Sequence, residues 1–369
     1  MSLDRAPWRP TGAGSFAEPF VSVLVTARNN EAHIGAAIRS VLAQTFTNFE
    51  LLVIDDGSLD ATPELLRAID DPRVRVRFYE ASAGICARRN ELVGLARARY
   101  VAPLDADDLW LPDRLERAVK VLERRSELVL VGSDTLAIDG VGAVGAYWRL
   151  PRFDAAIRWQ CLFESPVIHS SSTIRSSAFA AGVRYDDAFP LAQDFDLCTR
   201  LLSHGDALNF GVPLALYRVH SGQASTSRAY EQRVEQERIG RREIEGRGCT
   251  SARLATLVWK LGAGQPVADD EVDDAVAAYC DLFARFEADH RSSPGIGEAR
   301  RIAASALLRQ ALRSTGPSAM RLVRGALTID RRVPVTAVSV ALANRARVLH
   351  YRRVCRGDLD AGRRSVGAG

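Results

Sequence analysis

Leu104-Asp105-Ala106-Asp107-Asp108, an acidic run in this chain of 369 residues, follows a predicted strand over residues 99–104. The carboxylates therefore emerge at the C-terminal end of a strand, where open α/β sheets place their ligands. Two carboxylates one residue apart, with a third beside them, suit a hard divalent cation that keeps waters and also takes phosphate oxygens. The alternative is a solvated acidic turn in which Asp107 or Asp108 caps the helix that starts near Pro112.

Strand and helix patterns alternate in the sequence before this run. Short, largely apolar segments alternate with segments whose apolar residues recur at helical spacing, in units of roughly 25 residues. The predicted strands cover residues 20–26, 50–54, 74–79 and 99–104, and the predicted helices cover about 34–42, 62–69 and 85–98. This alternation predicts βαβ crossovers and an α/β fold with a mostly parallel central sheet and flanking helices, in outline a nucleotide-binding architecture.

The pattern changes further along the chain. Residues 128–222 mix strand-like pieces at 128–131, 171–174 and 214–219 with a helix at 194–204. The chain beyond Ser221 has helical periodicity, with predicted helices at 230–245, 252–261, 269–289, 298–313 and 320–327. We therefore divide the chain into a flexible N-terminal leader (residues 1–19), an α/β domain (20–228) and a helical, Arg-rich C-terminal region (229–369). Two domains agree with the chain length, which is too great for one small core.

Composition excludes several classes of protein. Hydrophobic residues make up 47% of the chain and charged residues 25%, as in soluble globular proteins. No apolar run approaches the roughly twenty residues that cross a bilayer, and the N-terminus lacks the apolar core of a signal peptide. The six cysteines form no C-x-x-C pair, which argues against a disulfide framework or a zinc site and favours a cytoplasmic protein.

Charge is unevenly distributed. Residues 301–369 contain 14 Arg and three Asp, with no Lys or Glu, so their net charge is +11. Because the whole chain carries +4, the first 300 residues carry −7. This asymmetry indicates an acidic catalytic body with a basic tail that faces something anionic.

The predicted C-terminal helices combine an apolar stripe with an arginine face. The apolar residues are Ile302, Leu307, Leu308, Leu312, Leu322 and Val323, and the arginines are Arg309, Arg313, Arg321 and Arg324. Such helices suit either peripheral contact with the anionic inner face of a membrane, or packing on the catalytic domain or on a second subunit. The apolar segment 333–342 favours packing. Because no recognised module or aromatic platform accompanies the arginines, nucleic acid is not a predicted partner.

Seven motifs resemble those of family 2 glycosyltransferases and occur in that family's order over about residues 20–228. They are Val25-Thr26-Ala27-Arg28-Asn29-Asn30-Glu31, Ser40-Val41-Leu42-Ala43-Gln44-Thr45-Phe46, Val53-Ile54-Asp55-Asp56-Gly57-Ser58, Ala87-Arg88-Arg89-Asn90, Leu104-Asp105-Ala106-Asp107-Asp108, Gln193-Asp194-Phe195-Asp196-Leu197 and Tyr217-Arg218-Val219-His220. The resemblance implies a Rossmann-like GT-A fold, with a nucleotide-sugar half at about 20–125 and an acceptor half at about 126–228. It also implies a hexosyltransferase that inverts the anomeric centre and uses a nucleotide-sugar donor and a divalent metal, Mn²⁺ or Mg²⁺.

The resemblance also implies which residues bind the nucleotide-sugar. They are Thr26, Ala27, Arg28, Glu31, Asp55, Asp56, Arg89, Asn90 and Asp105. Asp56 matches the carboxylate that accepts a hydrogen bond from the nucleobase, and a carboxylate suits the imide N–H of uracil or thymine, which favours a UDP- or dTDP-sugar. Arg28 stands where many relatives have an aromatic residue, and it can stack on the base or reach a phosphate. Each of three residues also has a structural alternative. Asp56 could be a helix N-cap, Arg28 a surface charge, and Glu31 a residue that interacts with the helix dipole.

Three further roles follow from the resemblance. Asp105, Asp107 and His220 match the metal site, in which the cation stabilises the charge that develops on the leaving diphosphate. Asp194 matches the general base, and Asp196 does not, because two residues on a helix point about 200° apart. His169 matches an acceptor-side segment and is a candidate acceptor contact.

The predicted function is transfer of a sugar from a nucleotide-sugar to a hydroxyl of a glycan, a lipid-linked precursor or a small molecule, in cell-surface polysaccharide synthesis. The alternative is a non-catalytic nucleotide-sugar-binding or scaffold protein of the same fold, but the chain retains Asp105, Asp107 and Asp194. A nucleotidyltransferase is disfavoured, because residues 26–30 lack the Gly-rich, basic phosphate loop that such enzymes place after the first strand.

Overall fold

A mixed sheet forms the centre of the α/β part in the computed structural model, which describes residues 9–10, 18–220 and 222–332. Within these residues the strands are β1 (Arg9–Pro10), β2 (Val21–Ala27), β3 (Phe49–Asp56), β4 (Val74–Tyr79), β5 (Tyr100–Asp105), β6 (Leu109–Trp110), β7 (Leu128–Ile138), β8 (Val144–Trp148), β9 (Thr173–Arg175) and β10 (Asp206–Arg218). They lie in the order β1-β4-β3-β2-β5-β9-β7-β10-β6, and β8 pairs with β7. Strands β4, β3, β2 and β5 are mutually parallel, as are β7 and β10, whereas β9 is antiparallel to both of its neighbours.

Helices cover both faces of the parallel strands. The helices are α1 (Ile34–Leu42), α2 (Thr62–Arg67), α3 (Ile85–Leu95), α4 (Arg114–Arg124), α5 (Asp154–Gln160), α6 (Ser176–Ala180), α7 (Gln193–Leu201), α8 (Ala224–Ser227), α9 (Ala229–Gly246), α10 (Ala252–Gly262), α11 (Val272–Asp289), α12 (Ile296–Ala311) and α13 (Gly316–Ile329). Val23 of β2 packs with Ile38 of α1 on one face of the sheet, and Leu52 of β3 packs with Leu92 of α3 on the other. Burial on both faces explains why these strands are nearly continuous apolar runs.

The register of the parallel strands brings their polar ends together. Thr26 of β2 lies opposite Asp105 of β5, and Ala27 lies opposite Asp55 of β3. The sequence motifs that follow these strands therefore meet at one edge of the sheet.

Helix α5 joins the α/β part to the C-terminal helices. Its Trp159 is fully buried, and the ring centroids of Phe163, Tyr279, Phe283 and Phe286 lie 4.9–5.5 Å from that of Trp159. One hydrophobic cluster thus contains residues of 155–163 and of 244–329. Within the described residues, no helix is both long and apolar enough to cross a bilayer.

The apolar stripe of the C-terminal helices is largely used in this packing. Leu307 and Leu322 are fully buried, whereas Leu312 is 87% exposed. Arg321 Nη1 lies 3.0 Å from Asp273 Oδ2. Contact with a membrane or a second subunit stays a prediction, and the segment 333–342 and the rest of the basic tail lie outside the described residues, as does most of the predicted leader.

The turn after β3 requires a glycine at position 57. The φ of Gly57 is +72°, and a Cβ at this position would lie 3.0 Å from the backbone C of Ala81 and the backbone N of Ser82. The left-handed conformation alone costs a non-glycine residue about 1–2 kcal/mol, so Gly57→Ala should lower the free energy of unfolding by at least that amount. The measurement is urea denaturation. Gly94→Ala is the control: it lies in α3 with nothing within 4 Å of the added Cβ, and it should be neutral or stabilising. Equal stability of the Gly57 variant and the wild type would contradict this reading.

Candidate active site

Two loops are joined at the C-terminal edge of the sheet, one after β2 and one after β3. The backbone N of Asn29 donates to Ser58 Oγ (2.9 Å), and the backbone N of Glu31 donates to Asp60 Oδ2 (3.0 Å). The Glu31 carboxylate in turn accepts from the backbone N of Ala61 at 2.9 Å. Glu31 thus links the two loops.

Thr26 presents an unsatisfied polar atom at this edge. Its Oγ1 is buried and has no hydrogen-bond partner among the described residues. A buried hydroxyl without a partner costs free energy unless a ligand or a water satisfies it. Arg28, two residues further on, is exposed, and its contact with the described part of the chain is a hydrogen bond from its backbone N to Asn30 Oδ1 at 2.8 Å. The edge therefore offers a free hydroxyl and a free guanidinium, which suits a polar ligand.

Asp56 is held by the start of α3. Its carboxylate accepts hydrogen bonds from Ser82 Oγ (2.6 Å), Arg88 Nε (2.7 Å) and the backbone N of Ala83 (2.9 Å) and Gly84 (3.1 Å). Burial alone would raise the pKa of Asp56, but these hydrogen bonds outweigh it, and the pKa lies below its ordinary value. Asp56 is therefore ionised, and a nucleobase N–H at this carboxylate would share it with these donors.

Arg88, the cation that pairs with Asp56, was not among the residues predicted from sequence. It also donates to Glu91 Oε2 (3.2 Å) and to the backbone O of Ala81 (3.2 Å), and its guanidinium lies 3.3 Å from the Tyr79 ring centroid. Arg88 thus ties α3 to the end of β3, and in the sequence only its place beside Arg89 indicated it.

Arg88→Met should be strongly destabilising, because it leaves the buried Asp56 carboxylate without its cation, a change that typically costs about 3–5 kcal/mol. Arg99→Met is the matched control, since Arg99 pairs with Glu123 at the surface, where such pairs contribute about 0–1 kcal/mol. Both variants can be compared by urea denaturation. Since the folded pKa of Asp56 is lowered, its stabilisation is fully present above the ordinary Asp pKa and is lost as pH falls through the folded value. The deficit of Arg88→Met should therefore shrink on acidification, and a deficit no larger than that of Arg99→Met would contradict this role.

Asp105 lies in a second cluster, with Arg89 and His169. Its Oδ1 accepts from Arg89 Nη2 and lies 3.2 Å from His169 Nδ1. Although burial would raise the pKa of Asp105, Arg89 and His169 lower it well below the ordinary value. His169 Nε2 is 2.9 Å from the Tyr185 hydroxyl, and Asn90 holds the Tyr185 backbone through two hydrogen bonds of 2.8 Å. Asn90 therefore positions Tyr185, a residue that no sequence signal indicated.

Asp107 and Asp108 face the end of β10. Asp107 Oδ2 lies 3.1 Å from His220 Nε2, while Asp108 accepts from Ser170 Oγ (2.5 Å) and from the backbone N of Arg218 (2.8 Å). Burial and the neighbouring carboxylates raise the pKa of both Asp107 and Asp108. The charged forms of these two carboxyl groups are therefore disfavoured here, first by burial and then by mutual repulsion, and a nearby cation would favour them.

Of the three predicted metal ligands, two lie next to each other in the structure. Asp107 and His220 are adjacent, but Asp105 faces Arg89 and His169 instead, and across the described residues no three potential ligands surround one point. A carboxylate and an imidazole in an acidic corner still fit Mg²⁺ or Mn²⁺, because such cations commonly complete their coordination with waters and substrate phosphates.

Asp194 and Asp196 differ in their surroundings. Asp194 lies in the first turn of α7 and lines a small cavity with His169, and none of the described residues donates a hydrogen bond to its carboxylate. Asp196 is fully buried and pairs with Arg200 and with Arg242 Nη1 (2.7 Å). Asp194 is therefore available to accept a proton, whereas Asp196 is occupied by ion pairs that tie α7 to α9.

Residues 22–181 match the model of the family described as glycosyl transferase family 2. This segment is a family 2 glycosyltransferase domain. Within the domain lie the ends of β2, β3 and β5, with Asp55, Asp56, Asp105 and Asp107, whereas Asp194 and His220 follow it.

Two relatives and one solved structure extend the match beyond that domain. The chain is 33% identical over 222 residues to the succinoglycan biosynthesis protein ExoO of Rhizobium meliloti, covering 57% of this chain and 63% of ExoO, less than two-thirds of its length. It is 27% identical over 215 residues to the glucosyltransferase WfaP of Escherichia coli, covering 57% of this chain and 82% of WfaP. The crystal structure of S. aureus TarS 1–349 with UDP-GlcNAc matches with a TM-score of 0.53 and 16% identity, over 86% of this chain and 92% of TarS 1–349.

These findings confirm the predicted family, the glycosyltransferase class and the GT-A fold with a following helical region. The roles of individual residues stay predictions. Of the predicted residues, the structure brings both Arg89 and His169 into contact with Asp105, and it pairs Asp107 with His220.

Proposed function

We propose that this protein is an inverting, metal-dependent glycosyltransferase that moves a sugar from a UDP- or dTDP-sugar to a hydroxyl of a cell-surface glycan, a lipid-linked precursor or a small molecule. The observation that carries the proposal is the position of Asp194. A carboxylate without a donor lines the same cavity as His169, which contacts Asp105 of the Asp-x-Asp motif. A proton acceptor beside the donor edge is what a single displacement at the sugar carbon requires.

The donor would lie along the ends of β2, β3 and β5. Thr26 Oγ1 offers a free hydroxyl there, Arg28 offers an exposed guanidinium, and Asp56 lies at the end of β3 for the base. Support for a uridine donor comes from TarS, whose structure holds UDP-GlcNAc on the same fold.

Asp107 and His220 would hold the divalent cation, with Asp105 close to it on the sheet edge. When bound, the cation would act as a Lewis acid toward the diphosphate leaving group. Arg89, which pairs with Asp105, adds positive charge to this edge. The role of the protein is to fix these charges before the reaction, where they are worth more than in water.

Asp194 would take the proton of the acceptor hydroxyl while the hydroxyl oxygen bonds to C1 of the sugar. The bond from C1 to the diphosphate breaks on the opposite face, so the configuration at C1 inverts. His169 and Tyr185 would line the acceptor side of this step. For the acceptor class, support comes from ExoO, whose name places it in succinoglycan biosynthesis, and from WfaP, whose named acceptor is GlcNAc-diphosphoundecaprenol.

A thermal unfolding screen tests the donor class. UDP-, dTDP- and GDP-sugars are each added with Mn²⁺ or Mg²⁺, and a ligand that binds the folded state raises the Tm as its concentration exceeds its Kd. We expect UDP- or dTDP-sugars to raise the Tm and GDP-sugars to do so less. A preference for GDP-sugars would contradict the assignment of Asp56 to an imide.

A further inference from the structure

A large groove lies between the α/β part and the C-terminal helices. Its volume is about 1120 Å³. One wall comes from residues 148–151 and 160–168, and the other from α12 and residues 262–266. Nothing in the proposed donor site or proton transfer uses this groove.

Arginines outnumber carboxylates in the lining of the groove. It is lined by Arg149, Arg233, Arg301, Arg309 and Arg313, and no carboxylate of the described residues lies within ion-pair distance of any of them. It is also lined by Glu164 and Glu298, and the Glu298 carboxylate is engaged with the backbone N of Arg152 at 3.0 Å. Five cations against two anions leave the groove positive, which favours an anionic occupant.

Apolar side chains accompany the arginines. Trp148, Ile302 and Leu308 line the groove, and Leu312 at its end is 87% exposed. The two kinds of lining together suit a ligand with an anionic group and an apolar chain.

The groove adjoins the candidate active site. Ile168 lines it and is followed by His169, whose ring contacts Asp105. Trp148, on the same wall, packs on Tyr217 with ring centroids 5.0 Å apart, and Tyr217 precedes the Arg218 that holds Asp108. A molecule in the groove could therefore extend a sugar hydroxyl toward Asp194.

We propose that this groove binds the acceptor, and that the acceptor is a sugar carried on a lipid phosphate or diphosphate. The arginines would bind the phosphate oxygens, for which a guanidinium is well suited, and the apolar wall would hold the first part of the lipid chain. This assignment rests on the proposed function, because it names the acceptor of the same reaction.

Titration of the full chain with farnesyl diphosphate in EDTA tests the groove apart from the cation-dependent donor site. The variants are Arg149→Gln and Arg309→Gln, one on each wall, and their double variant. Arg324→Gln is the matched control, since Arg324 lies on α13 and outside the groove. We expect each groove variant to weaken binding about tenfold, the size of one lost charge-assisted hydrogen bond, and the control to bind as the wild type does.

Any one of the following outcomes would overturn the proposal. They are absent binding to the wild type, unchanged binding to the double variant, an equal loss in Arg324→Gln, and inorganic pyrophosphate binding as tightly as farnesyl diphosphate. If the groove instead faces a membrane, its variants should lose binding to phosphatidylcholine–phosphatidylglycerol vesicles but still bind farnesyl diphosphate. That result would also overturn the proposal. UDP with Mn²⁺ should raise the Tm of all these variants equally. Without that rise the proposed function fails, whatever the groove binds.

Discussion

Asp194→Asn is expected to lower the turnover number by about 10² to 10⁴, the usual contribution of a positioned general base, while leaving donor binding nearly unchanged. The amide keeps the shape of the side chain but cannot take the acceptor's proton. Because no described residue donates a hydrogen bond to the Asp194 carboxylate, the substitution breaks no observed contact and the fold should be retained.

The contrast with Asp196→Asn makes this result specific. Asp196 is fully buried and neutralises Arg200 and Arg242. Asp196→Asn should therefore mainly lower the free energy of unfolding and have little direct effect on turnover. Donor Kd and turnover number are measured for both variants, together with urea denaturation. If Asp194→Asn lost donor affinity as strongly as turnover, Asp194 would belong to the nucleotide site and not to proton transfer.

Asp107→Asn is the second large effect expected. A neutral amide cannot hold the cation against water, so donor binding should lose its dependence on Mn²⁺ or Mg²⁺. Turnover should fall by about 10² to 10³ or more, since a cation on the leaving group contributes several kcal/mol. The substitution also removes one of three neighbouring carboxylates, so the fold should survive it.

The control for Asp107→Asn is Asp113→Asn, which neutralises a nearby carboxylate that pairs with Arg117 at the surface. This control should keep wild-type activity. EDTA should inhibit the wild type, and added Mn²⁺ or Mg²⁺ should restore its activity. Full activity of the wild type in EDTA would exclude a role for the metal.

The donor half could be predicted from sequence because its signals are local. Each of β2, β3 and β5 is an apolar run that ends in the residue singled out, and parallel pairing places these ends at one edge. The predicted strand at residues 74–79 has the bounds of β4. The helices beyond residue 228 were predicted to within four residues of their ends where the structure describes them.

The acceptor half was less predictable because its contacts are long-range. Strand β10 begins at Asp206, eight residues before the predicted strand at 214, since register shifts around Phe210 and Pro213 interrupt its pattern. Tyr185 reaches His169 from a segment without regular structure, held by Asn90 from 95 residues away in sequence. In the sequence, Arg88 and Arg89 are simply two adjacent helical arginines. Only the folded structure shows that Arg88 pairs with Asp56 and that Arg89 pairs with Asp105.

Release of nucleoside diphosphate from a panel of nucleotide-sugars is the most direct test of the proposed activity. It is measured for the wild type, Asp107→Asn and Asp194→Asn, with a lipid-linked sugar acceptor and Mn²⁺. The predicted result is release from at least one UDP- or dTDP-sugar by the wild type, with a large loss in both variants. Release that is equally fast in both variants and in the wild type, or no release from any donor, would contradict a transferase built on these carboxylates.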